Sequence, residues 1–252
     1  PGNHNRMNGW NDITVLAPAG DIDISTAPGL RSRIDTLIAL GSPRVIINCE
    51  NVLFVDSTGI ACLVSSARAL SRCAGMLSMV NVSSNVMRFL QIGRLTEALH
   101  ATPSERPAVP VLAPDASPCW SKSLPIVEGV ENLSYYRHRI VEMLSTLPMS
   151  EGDRFDYALA VGEALSNAYD HADGAHGCTM TVAAYDDRVV TILRDCGCGY
   201  EISDDDAPVV SELRGRGIRL MRLLVDNVEV SRRCDCPGTQ VRLVKLFREH
   251  GL

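Results

Sequence analysis

Between His100 and Ser123 the chain places five of its thirteen prolines, at positions 103, 107, 110, 114 and 118, with little apolar periodicity around them. Proline has no amide hydrogen and a fixed φ, so such a stretch can neither continue a helix nor occupy the middle of a sheet. It divides the 252 residues into two parts, each near the roughly 100 to 150 residues at which single cores settle. The reading is a domain over residues 9–100, a Pro-rich linker over 101–121 and a second domain over 122–252. A polyproline II linker rises about 3.1 Å per residue, so some 20 residues span on the order of 60 Å. Residues 1–8 are polar and are set aside from the fold.

Hydrophobic residues at 46% and charged residues at 21% supply enough apolar material for two packed cores. A formal net charge of −6, without a basic stripe, argues against nucleic acid and for protein and small-molecule partners. No apolar run approaches the roughly 20 residues that cross a bilayer, so the cytoplasm is the expected compartment. Nine cysteines cannot all pair within one chain, and reduced thiols are expected. The C-x-C pairs Cys196/Cys198 and Cys234/Cys236 are closer than the C-x-x-C spacing usual for zinc, and read as small hydrophobes.

Before the linker, strand-like and helix-like segments alternate, the rhythm of an α/β layer. Ile13–Leu16, Val45–Ile47 and Met76–Asn81 read as strands; Ala27–Leu40, Ile60–Ala74 and Asn85–Ile92 read as helices, the last capped by Gly93. After the linker, helices over Glu131–Leu147 and Asp156–His171 come first. Strands follow over Thr179–Tyr185, Arg188–Arg194, Val228–Val230 and Gln240–Lys245, with a helix over Ile218–Leu224. Helices followed by a mostly antiparallel sheet make an α+β two-layer sandwich.

Two constellations carry chemistry. Asp56-Ser57-Thr58-Gly59 lies where the apolar run Val52–Val55 turns into a helix, which puts Ser57 at or near the N-cap with its hydroxyl accessible. A phosphate there would add about −1.5 to −2 charges beside Asp56, partly stabilised by the free amides of the helix start. Local chemistry leaves a plain capping serine as the other reading. In the second half no G-x-x-x-x-G-K-[ST] occurs, so a P-loop is excluded. Instead Glu163, Asn167 and His171 fall at i, i+4 and i+8 on one helical stripe amid Leu159, Val161, Ala164, Leu165 and Ala168. Glutamate and asparagine in a partly buried cleft suit general-base work and magnesium coordination through oxygen. Asp195-Cys196-Gly197-Cys198-Gly199 follows a strand, and Arg214-Gly215-Arg216-Gly217 precedes a helix whose amides suit phosphate. Gly238-Thr239 stands before the last strand.

Gly20–Pro28, Val52–Gly59, Leu77–Asn81 and Val86–Gly93 together resemble, over about the first 100 residues, a STAS domain of the anti-sigma-factor-antagonist type. The resemblance implies an α/β fold with a mixed sheet, and Ser57 as the phosphoacceptor of a cognate anti-sigma kinase, with Thr58 the minor alternative. Residues 122–248 resemble the GHKL (Bergerat) ATP-binding fold of anti-sigma-factor serine kinases. Gly215–Met221, Asp226–Val230 and Gly238–Val241 lie especially close to that branch. That resemblance implies ATP and Mg2+ as cofactors, Glu163 as base and Asn167 as magnesium ligand. Asp195 would take the adenine amino group, with Gly197 and Gly199 shaping its pocket. Gly215 and Gly217 would sit at the phosphates, Arg214 is a candidate phosphate contact, and Thr239 would lie near the adenine.

Residues 200–214 would form the lid over ATP; Asp204–Asp206 reads as a solvated charge run and His171 as structural. The implied activity is phosphoryl transfer to a STAS-domain serine, in cis or in trans, which regulates a sigma factor by partner switching. The implied partners are a sigma factor, a STAS antagonist, the chain's own STAS domain and a second copy in a homodimer. The alternative is a module that binds nucleotide and protein without transferring phosphate. A two-component histidine kinase is disfavoured, because no helical hairpin carrying a phosphoacceptor histidine precedes the second domain.

Overall fold

The computed structural model describes residues 13–42, 44–106, 108–126, 133–171, 178–196, 214–233 and 238–247. The chain separates into two compact units, 1–107 and 108–252, each with its own core.

The first unit runs β1 (Ile13–Leu16), α1 (Ala27–Ala39), β2 (Arg44–Asn48), α2 (Ser57–Arg72), β3 (Met76–Val80), α3 (Ser84–Ile92). The strands pair in the order β1-β2-β3, and these pairings are parallel. Period-two alternation sends Leu16, Val45, Ile47, Leu77 and Met79 to the face that packs against Leu30 and Ile34 of α1, Leu63 and Leu70 of α2, and Val86 and Leu90 of α3. Fully burying one such aliphatic side chain is worth about 1.5–3 kcal/mol, so this cluster is what holds the unit together. Residues 52–54 are not a regular strand; Val55 alone bridges in parallel to Ile22. Of the residues read as linker, 101–104 lie against β3: Thr102 donates to the Met79 carbonyl and Ser104 to the Val82 carbonyl, both at 2.9 Å.

The second unit opens with a strand that sequence reading did not assign, β4 (Trp120–Ile126), whose first two residues fall in the stretch read as linker. It continues α4 (Leu133–Leu144), α5 (Glu151–His171), β5 (Cys178–Ala184), β6 (Arg188–Arg194), α6 (Arg214–Leu224), β7 (Asn227–Arg232), β8 (Thr239–Leu246). The strands make one antiparallel sheet in the order β4-β5-β6-β8-β7. The expectation of helices first is therefore corrected. Pro125 and the consecutive polar residues Ser121, Lys122 and Ser123 hid an edge strand, a place where a sheet tolerates proline. The Pro-rich stretch is also attached at this end, because the Arg188 guanidinium donates to the Pro110 carbonyl at 2.5 Å while gripping Asp187 at 2.6 and 2.8 Å. That grip holds the Asp187 carboxyl below its ordinary pKa.

Helix α5 starts earlier than Asp156 because Ser150 and Asp153 form a capping pair. The Asp153 amide donates to the Ser150 hydroxyl at 3.0 Å, and that hydroxyl donates to Asp153 Oδ2 at 2.7 Å. The same Asp153 meets Lys245, only 3% exposed, at 2.8 Å. One turn on, the buried Tyr157 hydroxyl donates to Thr191 Oγ1 at 2.8 Å. Lys245 lies opposite Val189. Positions 153 and 157 of α5 thus align with 189 and 191 of β6, so helix and strand run in the same direction and finish at the same end of the unit.

Candidate functional site

In the first unit Ser57 is exposed and is the first residue of α2, next to the cap, which is Asp56. Asp56 Oδ1 accepts from the Gly59 amide at 2.7 Å and its Oδ2 from the Ile24 amide at 3.0 Å. One carboxylate therefore ties the helix start to the loop after β1. Asp21 reinforces this tie, its Oδ1 accepting from the Leu53 and Phe54 amides at 2.9 Å each. Asp23 accepts from the Ser25 hydroxyl and from the Ser25 and Thr26 amides, which holds its carboxyl below the usual range. Ile24, Leu53 and Phe54, whose amides Asp56 and Asp21 hold, expose 72%, 68% and 58% of their surface.

Gly59 has a steric reason. A Cβ at this position would fall 2.2 Å from the Ile22 carbonyl oxygen and 2.8 Å from Val55 Cγ1. Because the first obstacle is backbone, Gly59→Ala is expected to destabilise the first unit by about 1–3 kcal/mol, the usual cost of overfilling a packed site. Thermal melting of the purified protein measures this, and an unchanged transition would count against a tight junction.

In the second unit the acid–amide stripe of α5 meets α6. Glu163 and Asn167 are half-buried, and a Cβ on the buried Gly217 would lie 2.6 Å from Glu163 Oε1 and 2.8 Å from Asn167 Nδ2. Absence of a side chain at 217 therefore leaves the space in which these two polar termini sit. Helix α6 begins at Arg214, so Gly215 and Gly217 belong to its first turn rather than preceding it. The amides of that turn are among those left unpaired by helix geometry.

At the end of β6, Asp195 is 6% exposed and joined to Thr239 at two points. The Asp195 amide donates to the Thr239 carbonyl at 3.0 Å, and the Thr239 amide donates to Asp195 Oδ1 at 2.9 Å. Gly238 makes the approach feasible; its φ is +153°, and a Cβ there would lie 2.2 Å from the Asp195 carbonyl oxygen. Cys178, opposite this point on β5, is buried, which pushes its thiol up to about 12, with the nearby Asp195 and Cys196 adding to the shift.

The co-directional run of α5 and β6 accounts for both groups of residues reaching one end of the unit. Ten residues of helix past Tyr157 rise about 15 Å to Asn167, and four residues of strand past Thr191 rise about 13 Å to Asp195. Glu163, Asn167 and Gly217 form one group and Asp195, Thr239 and Gly238 the other. Gly197 and Gly199 lie outside the described residues, as do 200–213 and Cys198, Cys234 and Cys236. Among the described residues no group of three or more metal-binding side chains occurs, and no helix is long and apolar enough to cross a membrane. Sequence reading missed Arg233, whose guanidinium donates to the Asp195 carbonyl at 3.2 Å. Its only sequence signal was a basic residue at a strand end, which is too common to single out.

A family model described as the STAS domain matches residues 6–108, and one described as the histidine kinase-like ATPase domain matches residues 127–245. An anti-sigma-B factor antagonist of Staphylococcus aureus is 30% identical over 81 residues, which cover 32% of this chain and 75% of that one. Its counterpart from Staphylococcus epidermidis is 28% identical over 90 residues, covering 36% of this chain and 83% of the relative. A crystal structure of the RsbU and RsbW domains of a Mycobacterium tuberculosis protein aligns at 18% identity and a TM-score of 0.39. That alignment covers 52% of this chain and 33% of the other.

Proposed function

Given that the chain belongs to the STAS-domain family that includes the anti-sigma-B factor antagonists, and carries a histidine kinase-like ATPase domain, we propose that it is a partner-switching regulator whose second unit phosphorylates a STAS-domain serine from ATP. The observation that carries this reading is the meeting of Glu163, Asn167 and Gly217 at the first turn of α6.

The donor set fits the groups such a reaction needs. Asn167 offers an amide oxygen, the hard ligand magnesium prefers, beside helix-start amides suited to phosphate. Magnesium, when bound, supplies neutralisation of the phosphate charge. Arg214, Gly215 and Gly217 would lie along the phosphates. Asp195, oriented by the Thr239 amide, is an acceptor matched to the amino group of adenine. Gly197 and Gly199 would complete that pocket. Glu163 would accept or orient the proton of the attacking hydroxyl, and most of the acceleration would come from positioning.

The acceptor is Ser57 of this chain, of a second copy, or the matching serine of a separate antagonist. Its exposed position at a helix start lets a phosphate be held by free amides, so modification changes surface charge without unfolding the unit. Ile24, Leu53 and Phe54 would supply the apolar contact with an ATPase face. A dianion placed beside Asp56 would then weaken that contact and free the face for a sigma factor.

The test is incubation of the full chain with labelled ATP and magnesium, with the label located by mass spectrometry. Label is expected on Ser57 and is expected to vanish in Ser57→Ala. No label on Ser57, Thr58 or an added STAS antagonist defeats the kinase reading. Nucleotide binding without any transfer would instead identify a non-catalytic partner-binding module.

A further inference from the structure

We propose that Arg233 is a positioning residue for recognition of the nucleotide base, acting through Asp195; the inference rests on the nucleotide-binding reading above. Arg233 directly follows β7, and its amide donates to the Gly238 carbonyl at 3.0 Å across the mouth of the β7–β8 hairpin. Its side chain then leaves the hairpin. One guanidinium nitrogen, Nη1, donates to the Asp195 carbonyl at 3.2 Å and to Cys196 Sγ at 3.3 Å.

In the sheet order β6-β8-β7, the strand β8 lies between Arg233 and Asp195. Two strand spacings amount to about 9–10 Å, so the side chain must pass over the start of β8 to reach the end of β6. The residue it passes is Gly238. That glycine leaves room for the Asp195 carbonyl oxygen, the atom Arg233 grips, since any Cβ there would lie 2.2 Å from it. The two features form one device: a missing side chain lets the segment after β6 approach the hairpin, and a cation then fastens it.

Asp195 is thereby held at three points. Its amide meets the Thr239 carbonyl, its Oδ1 meets the Thr239 amide, and its carbonyl meets Arg233. The first two set the carboxylate against Thr239 on the β8 side. The charge-assisted bond from Arg233 fastens the end of β6 to the β7–β8 hairpin and so steadies the backbone that carries the carboxylate. A carboxylate accepts hydrogen bonds, so an aimed Asp195 favours a base with an amino group at the facing position and penalises one with a carbonyl there. Arg233 would thus contribute to discrimination of ATP from GTP without touching either.

Calorimetric titration of the full chain with MgATP and with MgGTP tests this. In Arg233→Ala the ATP affinity is expected to fall by about tenfold and the ATP-over-GTP ratio by a similar factor, the loss of one hydrogen bond from a charged donor. Arg233→Lys keeps a cation with a single donor point and is expected to lose about two- to fourfold of the ratio. Equal weakening of both nucleotides, or an unchanged ratio, overturns the proposal and leaves Arg233 as a structural clasp. Should Arg233→Ala fail to fold, the ratio in Arg233→Lys decides in the same way. Absence of MgATP binding by the unaltered protein would be a different failure, that of the nucleotide reading itself.

Discussion

Glu163→Gln is expected to slow phosphorylation of the acceptor serine by about 10²- to 10⁴-fold, the range for removal of a general base, while MgATP affinity stays within about threefold. Glutamine has the size and shape of glutamate, so the contact with Gly217 and the i,i+4 relation to Asn167 are preserved. What disappears is a group that can take a proton. Single-turnover labelling gives the rate and calorimetry the affinity, and separating the two decides the role. A rate equal to that of the unaltered protein removes Glu163 from the chemistry. A fall in affinity as large as the fall in rate would instead make it a nucleotide ligand.

Gly217→Ala should produce effects of opposite sign in stability and function. The added methyl lies 2.6 Å from Glu163 Oε1 and 2.8 Å from Asn167 Nδ2, and both obstacles are ends of flexible side chains rather than backbone. The protein can therefore accommodate alanine by swinging those side chains aside, and alanine is better in a helix than glycine by about 1 kcal/mol. The nucleotide-free melting temperature is expected to hold or to rise. Phosphoryl transfer is expected to fall by about 100-fold, because misplacing reactive groups by an ångström costs that much. A large drop in melting temperature would mean that Gly217 serves packing. An unchanged rate would mean that Glu163 and Asn167 do not act from the positions described. The contrast with Gly59 is instructive, since there the obstacle is the Ile22 carbonyl and the damage falls on stability.

The parts of this molecule legible in its sequence are those with local causes. The unbroken apolar run Val45–Ile47 marks a buried strand and the alternation in Thr179–Ala184 a strand with two unlike faces, while the Glu163–Asn167 stripe is fixed by helical period alone. Strand β4 was not legible. Its Pro125 is acceptable only because the strand lies at an edge, and edge position is settled by β5, more than fifty residues later. The start of α5 was legible in principle, through Ser150 and Asp153, but the apolar period that marks the helix begins only near Tyr157. Which of Asp56 and Ser57 caps α2 was not legible for a related reason. Either can cap a helix, and Asp56 prevails because its second oxygen also holds the Ile24 amide. Arg233 depends on a cross-strand approach that only Gly238 makes possible, a long-range fact with no local trace.

The shared direction of α5 and β6 has an electrical corollary. Asp153 and Lys245 form a shielded ion pair near one tip of the long helix, and Glu163 stands ten residues, about 15 Å, further along. The two opposite charges of the pair stand 2.8 Å apart, so at about five times that distance their fields largely cancel. Replacing the pair as a unit therefore changes little at Glu163, and heat resistance can be adjusted there without retuning the reactive tip.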